Sequence, residues 1–300
     1  MPRANAKRPS RVKAQTILLC VSVLFLSLLL WAISISFSVE RNILPLRVWM
    51  FDVGQGDSFL IEFPTGEQML VDGGRNDAIL TKIGEVLPPW DRTLDAILVS
   101  HPDADHITGL VSVLDRYRVE TLYETGMIAD TQVDRALRDA IEDEGAQIQF
   151  VSKGDRIQVG DVLLRFLWPA ESYDQERVSD RNNSSMVFVL EYGETTVLFT
   201  GDAELEAEEG FMDAVGDVDV LKVGHHGSLS STSWEFLRQI RPEIALISAG
   251  VNNTYGHPHP VVLSRLVDWG VELFRTDLEG DILLTSFGGE PEVTVHPLPF

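Results

Sequence analysis

Residues 99–110 read VSHPDADHITGL and include four side chains that can bind a metal ion or transfer a proton. His101, Asp103, Asp105 and His106 follow directly after an apolar run. Alternate residues of an extended loop point the same way, so the first three can converge, and His106 can turn toward them from the start of a helix. A mixture of imidazole and carboxylate suits Zn²⁺ and Mn²⁺. The alternative is a solvated turn in which Asp105 caps the following helix.

The amino-acid composition limits which side chains could bind a metal ion and which molecules the chain could bind. The chain has 300 residues and one cysteine, Cys20, which excludes a disulfide framework and a thiolate cluster. The net charge is -22; without the five basic residues of 1–39, the remainder has 19 basic and 46 acidic residues, about -27. Such an acidic body repels polyanions unless metal ions or a local basic groove offset it. This counts against a non-specific nucleic-acid binder.

The N-terminal segment is typical of a membrane anchor. Residues 16–38 carry no charge, and a spanning helix needs about 20 apolar residues. The run is longer than the h-region of a secretory signal, about 7–15 residues, although a cleaved signal remains the alternative. Because the basic residues all precede the run, residues 1–15 are expected in the cytoplasm. We predict a single-pass protein of the cytoplasmic membrane, with a linker at 39–45 and an extracytoplasmic domain at 46–300.

The order of predicted elements indicates a layered fold. Short strands come first, strands and helices then alternate, and strands close the chain. The apolar run LDAILVS at 94–100 is typical of a strand buried on both faces, and helical spacing follows at 106–116. This order predicts an α/β fold of two packed sheets with helices on the outer faces. Loops at strand ends usually form the sites of such folds.

Seven motifs occur in order over roughly residues 46–285 and together carry a resemblance to a known family. They are FDVGQGDSFLI, LVDGG, SHPDADHITGL, RNNSSMVFVL, LFTGD, LKVGHHGSLSS and NNTYGHPHP. HPDADH resembles the HxHxDH signature of metallo-β-lactamase-fold hydrolases, with Asp103 in place of the second histidine. The aspartate form resembles the branch that includes the C-terminal nuclease domain of the ComEC DNA-uptake channel. Bacterial phosphorylcholine esterases of the same fold are more distant relatives.

The resemblance implies an αββα sandwich with a site for two divalent ions, Zn²⁺ or Mn²⁺. Six side chains match the family's metal ligands: His101, Asp103, Asp105, His106, Asp202 and His226. The first two resemble ligands of the first ion and the next two ligands of the second. Asp202 matches the carboxylate that bridges both ions, and His226 matches the late ligand of the second ion. Asp105 also resembles the residue that orients the nucleophile, and His225 is a candidate for proton transfer or phosphate contact.

The sequence departs from the broad family at two positions. Asp103 replaces a histidine, and this harder, anionic ligand favours Mn²⁺ relative to Zn²⁺. No histidine lies between residues 107 and 224, so the usual mid-chain ligand of the first ion is missing. Asn183 of RNNSS is the candidate replacement. Since an amide is a weaker ligand, the sequence leaves open whether one ion or two are held.

Three further side chains have both a structural and a functional interpretation. Asp57 lies in a turn between strands, or borders the active site and orients ligands. Asp72 ends a strand and could hydrogen-bond a metal-binding histidine. His257 is a candidate contact for substrate or phosphate, whereas His259 is expected to be structural.

The resemblance implies a membrane-anchored, metal-dependent phosphodiesterase or nuclease. The ions would lower the pKa of a bound water, so that hydroxide is available at neutral pH. The fold alone does not decide between a phosphodiester, an ester and a lactone. One alternative is a hydrolase of a small extracytoplasmic phosphodiester, such as a choline or glycerol phosphate. The other is a non-catalytic binding protein on a hydrolase scaffold. No protein partner can be inferred.

Overall fold

The computed structural model describes residues 21–28, 44–173 and 175–296. It separates the chain into two units, Met1–Ile43 and Leu44–Phe300. Of the predicted anchor at 16–38, only 21–28 is described, as a helix with exposed apolar side chains. The rest of the predicted anchor, the basic stretch 1–15 and most of the linker lie outside the described residues. Within the described ranges, no helix is both long enough and apolar enough to cross a membrane.

The second unit contains two β-sheets. The first is formed by β1 (Leu46–Met50), β2 (Phe59–Glu62), β3 (Gln68–Val71), β4 (Thr93–Leu98), β5 (Arg118–Glu124), β6 (Gln147–Phe150), β14 (Asp281–Ser286) and β15 (Glu292–His296). The second is formed by β7 (Arg156–Val159), β8 (Val162–Trp168), β9 (Val187–Tyr192), β10 (Thr195–Phe199), β11 (Val220–Lys222), β12 (Ile244–Ile247) and β13 (Glu272–Arg275). Their spatial orders are β15-β14-β1-β2-β3-β4-β5-β6 and β13-β12-β11-β10-β9-β8-β7.

The helices follow the strands of both sheets. They are α1 (Ala78–Val86), α2 (Ala104–Leu114), α3 (Gln132–Glu144), α4 (Leu205–Phe211), α5 (Trp234–Ile240), α6 (Pro260–Trp269) and α7 (Thr276–Glu279). Short 3-10 turns occupy Asn182–Ser184, Met212–Ala214 and Gly224–Gly227. Helix α2 begins two residues before the predicted 106, so Asp105 and His106 both lie in its first turn.

Three apolar layers hold the sandwich together. The layer between the sheets includes Leu98 of β4 and Phe188 of β9. Ile97, the neighbour of Leu98, points the other way and packs against α1, α2 and α3. This alternation explains why β4 ends in a run that is apolar on both faces, from Ala96 to Leu98. Helices α4, α5 and α6 cover the second sheet in the same way. The predicted αββα sandwich is confirmed.

Parallel pairing in each sheet positions the site. In the first sheet β3, β4 and β5 are parallel, and in the second β10, β11 and β12 are parallel. The carboxyl ends of parallel strands lie at one edge of a sheet, where the loops that follow them meet.

Candidate metal centre

The predicted ligands lie in loops at the carboxyl ends of these parallel strands. In the first sheet, Asp72 follows β3 and the HPDADH loop at residues 101–106 follows β4. In the second sheet, Asp202 follows β10, and His225 and His226 follow β11. Although they are distant in sequence, these segments meet at one edge of the sandwich.

Asp202 lies at the centre of the site, with its carboxylate buried. Its Oδ2 is 3.3 Å from His106 Nε2 and 3.4 Å from His226 Nε2. The Nε2 atoms of His225 and His101 lie 3.8 Å and 4.0 Å from the same oxygen. Four imidazole nitrogens therefore surround one carboxylate oxygen, and the bridging role of Asp202 stays a prediction.

The two carboxylates of HPDADH, Asp103 and Asp105, pair with different histidines. Asp105 Oδ2 is 3.7 Å from His226 Nε2, whereas Asp103 Oδ2 is 3.9 Å from His101 Nε2. Asp103 Oδ1 also forms an ion pair with Arg181 Nε at 2.5 Å, a partner that the sequence did not indicate. The structure thus brings all six predicted ligands to one rim, whereas their division between two ions stays a prediction.

Asp72 orients His106 directly and His101 through Ser100, in each case at the Nδ1 atom. Its Oδ2 accepts from His106 Nδ1 at 2.8 Å and from Ser100 Oγ at 2.5 Å. Because Ser100 Oγ gives its only proton to Asp72, it accepts from His101 Nδ1 at 3.0 Å. Both rings therefore carry a proton on Nδ1 and direct Nε2 toward Asp202. The hydrogen bond predicted between Asp72 and a candidate metal ligand is present.

The HHGS turn fixes its two histidines in the same tautomer. His226 Nδ1 donates to the Ser248 carbonyl oxygen at 3.0 Å, and His225 Nδ1 donates to Glu204 Oε1 at 2.9 Å. Both residues have left-handed backbone angles, with φ of 53° for His226 and 47° for His225. Such angles cost roughly 1–3 kcal/mol each for residues other than glycine. The surrounding hydrogen bonds hold this conformation, which directs both Nε2 atoms toward Asp202.

A buried lysine, Lys222, lies beside the cluster and was missed in the sequence. Its Nζ forms an ion pair with Asp57 Oδ2, donates to the Gly201 carbonyl oxygen at 2.7 Å and lies 3.7 Å from Asp202 Oδ1. Asp57 Oδ1 is in turn 3.3 Å from His226 Nδ1. The available signal was a lysine at the end of the apolar strand VDVLK, since a buried ammonium needs carboxylate partners. Asp57 therefore lies beside the predicted ligand His226, and its predicted role in orienting ligands stays a prediction.

The pKa shifts indicate that the space beside the carboxylates of Asp202 and Asp57 favours positive charge. Burial opposes ionisation of Asp202, but His226 and His106 outweigh it and hold the pKa of Asp202 well below its ordinary value. Burial also opposes charge on His226, yet Asp202 and Asp57 raise the pKa of His226 to about 9. The second proton of His226 would occupy Nε2, the atom that a metal ion would bind. Burial, and then His106, lower the pKa of His101 well below its ordinary value.

The orphaned polar atoms of the site fit a cation. Buried polar atoms normally have a hydrogen-bond partner. Five atoms in this part of the described chain have none: Nε2 of His101, His106 and His226, and Oδ1 of Asp57 and Asp202. His101, His106 and Asp202 can each place a ligand atom within 4.8 Å of the others, and so can Asp105, His106 and His226. Nitrogen and oxygen ligands in this proportion suit Zn²⁺ and Mn²⁺.

Asn183 is the one predicted ligand candidate that the structure does not bring into the cluster. Its Oδ1 accepts from the backbone N–H groups of Glu204 and Ala207 at 3.0 Å and 3.2 Å. Its Nδ2 donates to Asp180 Oδ2 at 2.8 Å. The amide is therefore engaged at the start of α4. His225 Nε2, by contrast, lies 3.8 Å from Asp202 Oδ2.

His257 lies at the rim beside the two histidines of HHGS. Its ring centroid is 5.3 Å from that of His225 and 6.5 Å from that of His226. Burial, and then the neighbouring His225, lower the pKa of His257 to about 4, so the ring is neutral at pH 7. His259 instead accepts a hydrogen bond from Val261 N and caps α6, which agrees with its expected structural role.

A family model described as the metallo-beta-lactamase superfamily matches residues 51–251. This chain belongs to that superfamily of metal-dependent hydrolases, as its fold and its cluster of histidine and aspartate side chains indicate. The fold is also similar to that of YhfI from Bacillus subtilis, with a TM-score of 0.52 and 14% identity over 76% of this chain and 96% of that one. The CmlA beta-hydroxylase E377D mutant has a TM-score of 0.53 and 15% identity over 79% and 54%.

The relatives similar in sequence are competence and recombination proteins. ComE operon protein 3 of Bacillus subtilis is 34% identical over 88% of this chain and 35% of its own length. Competence protein ComA of Neisseria gonorrhoeae is 32% identical over 81% and 32%, and Recombination protein 2 of Haemophilus influenzae is 30% identical over 82% and 30%. The chain thus spans about a third of each of these relatives. The predicted family resemblance is confirmed.

Proposed function

We propose that this chain is a metal-dependent phosphodiesterase whose substrate is a nucleic acid. The observation that carries the proposal is the convergence of three unpartnered histidine Nε2 atoms on the Asp202 carboxylate. Divalent ions bound there would activate a water and stabilise negative charge on phosphoryl oxygens. The names of the relatives, which refer to competence and recombination, support a DNA substrate.

His101, Asp103 and Asp202 would hold one ion. Asp105, His106 and His226 would hold a second, with Asp202 shared between the two groups. The Asp105 side chain is 29% exposed and that of Asp202 only 4%, so Asp105 is the carboxylate that can also orient an incoming nucleophile.

Two other side chains at the rim can act on the substrate. The His225 side chain is 22% exposed while that of His226 is 1% exposed. With Nδ1 held by Glu204, His225 can transfer a proton at Nε2 to the leaving oxygen. Arg181 pairs with Asp103 through Nε, which leaves its other N–H groups available to a phosphoryl oxygen. The Arg181 guanidinium would offset part of the repulsion between the acidic domain and a polyanion.

A small extracytoplasmic phosphodiester is the second candidate substrate. The charge of about -27 on residues 40–300 favours it, because a small diester suffers less repulsion than DNA. The intact cluster argues against a non-catalytic scaffold.

Hydrolysis assays with the purified full-length chain test the activity. With Mn²⁺ or Zn²⁺ added, we expect cleavage of bis-p-nitrophenyl phosphate and linear DNA, and none of a β-lactam. Asp105→Ala should abolish the cleavage, while Asp115→Ala, an exposed aspartate at the other end of α2, should leave it intact. Absence of diester cleavage by the native chain would refute the proposed function. Cleavage of the small diester alone would favour the second candidate substrate.

We also propose that residues 16–38 anchor the chain in the cytoplasmic membrane, with the hydrolase domain on the extracytoplasmic side. The uncharged run and the basic residues before it support this orientation. Protease added to intact spheroplasts should then digest the domain. Protection of the domain until the cells are lysed would exclude this topology.

A further inference from the structure

A groove lies beside the metal centre and has no role in the chemistry described above. It encloses about 570 Å³, within the size range of small-molecule sites. Its walls come from residues 52–55 after β1, residues 75–78 after β3 and residues 250–255 after β12. Each wall belongs to a loop at the rim where the metal-binding loops lie.

Close contacts connect this groove to the metal centre. Gly56 packs so tightly on Asp105 that a Cβ at Gly56 would lie 1.7 Å from the Asp105 carbonyl oxygen. Ser248, whose carbonyl oxygen holds His226, donates its hydroxyl to Gly56 O at 2.6 Å. On the other wall, the Tyr255 ring stacks on His257 at 6.1 Å with an interplanar angle of 27°. Since His257 adjoins His225, the groove begins one side chain away from the cluster.

Tyr255 is held in position although its side chain is 58% exposed. Asn253 Oδ1 accepts from Tyr255 N at 3.2 Å and from His257 N at 3.1 Å. Asn253 Nδ2 donates to the Gly250 carbonyl oxygen at 3.0 Å. The loop therefore presents an exposed aromatic ring on a preformed support, which reduces the entropy lost when a ligand stacks on it.

The groove offers one guanidinium group to an anionic ligand. Arg75 is exposed on its wall and has no ion-pair partner in the described chain. Asp52, whose Oδ1 accepts from Gly54 N at 3.0 Å, also lines the groove and carries one negative charge. Asn76 and Asn252 add amide groups. An aromatic ring, a guanidinium and amides match the base, phosphate and polar edge of one nucleotide.

We propose that this groove binds a nucleotide adjacent to the scissile phosphodiester, with its base stacked on Tyr255 and its phosphate paired with Arg75. The inference rests on the proposed phosphodiesterase function and specifies its substrate. A quaternary ammonium such as choline prefers a cage of aromatic faces, whereas this groove has one such ring and a cation. Only an unpaired base can stack on a side chain in this way, so the groove selects single-stranded over duplex nucleic acid.

Binding in EDTA tests the groove without turnover. The probe is a single-stranded dT8 labelled with fluorescein at its 5′ end. Its affinity for the full-length chain is measured by fluorescence anisotropy. Unlabelled dTMP, dT8 and an eight-base-pair duplex serve as competitors. Tyr255→Ala should weaken dT8 binding about tenfold, while Tyr255→Phe, which keeps the ring, should restore it. Arg75→Gln should weaken binding several-fold and reduce the salt dependence by about one phosphate contact.

Two matched controls lie at the opposite end of the first sheet. Trp90, 84% exposed, precedes β4, and Arg118 is exposed at the start of β5. Trp90→Ala and Arg118→Gln should bind dT8 as the native chain does. The groove assignment would be overturned if the native chain failed to bind dT8, if Tyr255→Ala and Arg75→Gln bound it normally, or if the duplex competed as well as dT8. If the groove assignment is overturned but the native chain still cleaves bis-p-nitrophenyl phosphate, the proposed phosphodiesterase function is not affected.

Discussion

Asp202→Asn is expected to reduce phosphodiester hydrolysis at least about 1,000-fold. The substitution keeps the size of the side chain but removes the negative charge shared by His106, His226, His225 and His101. No other carboxylate in the described chain faces all four imidazoles. A loss of several kcal/mol of cation binding and charge stabilisation at the reacting centre corresponds to a rate loss of this size.

Initial rates on bis-p-nitrophenyl phosphate with saturating Mn²⁺ measure this effect. Asp213→Asn is the matched control, because Asp213 is exposed beyond α4, on the segment that follows Asp202. We expect the control to retain native activity. A rate for Asp202→Asn above a tenth of the native rate would show that Asp202 is not the shared ligand.

Lys222→Met is expected to lower the free energy of unfolding by about 3–5 kcal/mol when it is measured in EDTA. Methionine fills a similar volume, so the main loss is the buried ammonium group. Its removal leaves Asp57 without its ion-pair partner and Asp202 without a cation 3.7 Å away. Breaking a buried pair from one side is costly because the remaining charge stays buried.

Urea unfolding of the native and variant chains gives this difference. The double variant Lys222→Met/Asp57→Asn should recover at least about 1 kcal/mol, because it removes the orphaned carboxylate as well. Lys153→Met, at an exposed loop position, should change stability by less than about 0.5 kcal/mol. A loss below about 1 kcal/mol for Lys222→Met would contradict the structural role assigned to this ion pair.

The metal ligands could be predicted from the sequence because their signals are local. HPDADH places four of them within six positions after a strand that is apolar on both faces, and Asp202 and His226 each follow an apolar strand. Parallel pairing then brings these strand ends to one edge. The αββα fold could be predicted for the same reason, since most strands and helices have a clear apolar period or apolar run.

The features that were missed depend on contacts between distant segments or on weak patterns. The ion pair of Lys222 with Asp57 joins β11 to the loop after β1, and no sequence spacing links these positions. The groove likewise combines Arg75 with Tyr255 from different sheets. Strands β6 (QIQF) and β7 (RIQV) were not predicted because they are short edge strands, with polar residues and no buried position.

Asn183 shows the limit of assigning a ligand by elimination. Its motif stands where the family's mid-chain histidine is expected, but its amide is engaged at the start of α4. An asparagine beside a helix start often accepts backbone hydrogen bonds. His225 was predicted to transfer a proton or to contact phosphate, and only the fold shows that its Nε2 also faces Asp202.

Metal content is the most direct test of the proposed centre. The native full-length chain and Asp202→Asn are each saturated with Mn²⁺ or Zn²⁺, freed of excess ion by gel filtration and measured by plasma mass spectrometry. Two ions per native chain and fewer than one per Asp202→Asn chain are expected. A native chain that retains no ion, or a variant that retains as many as the native chain, would contradict a metal centre built around Asp202.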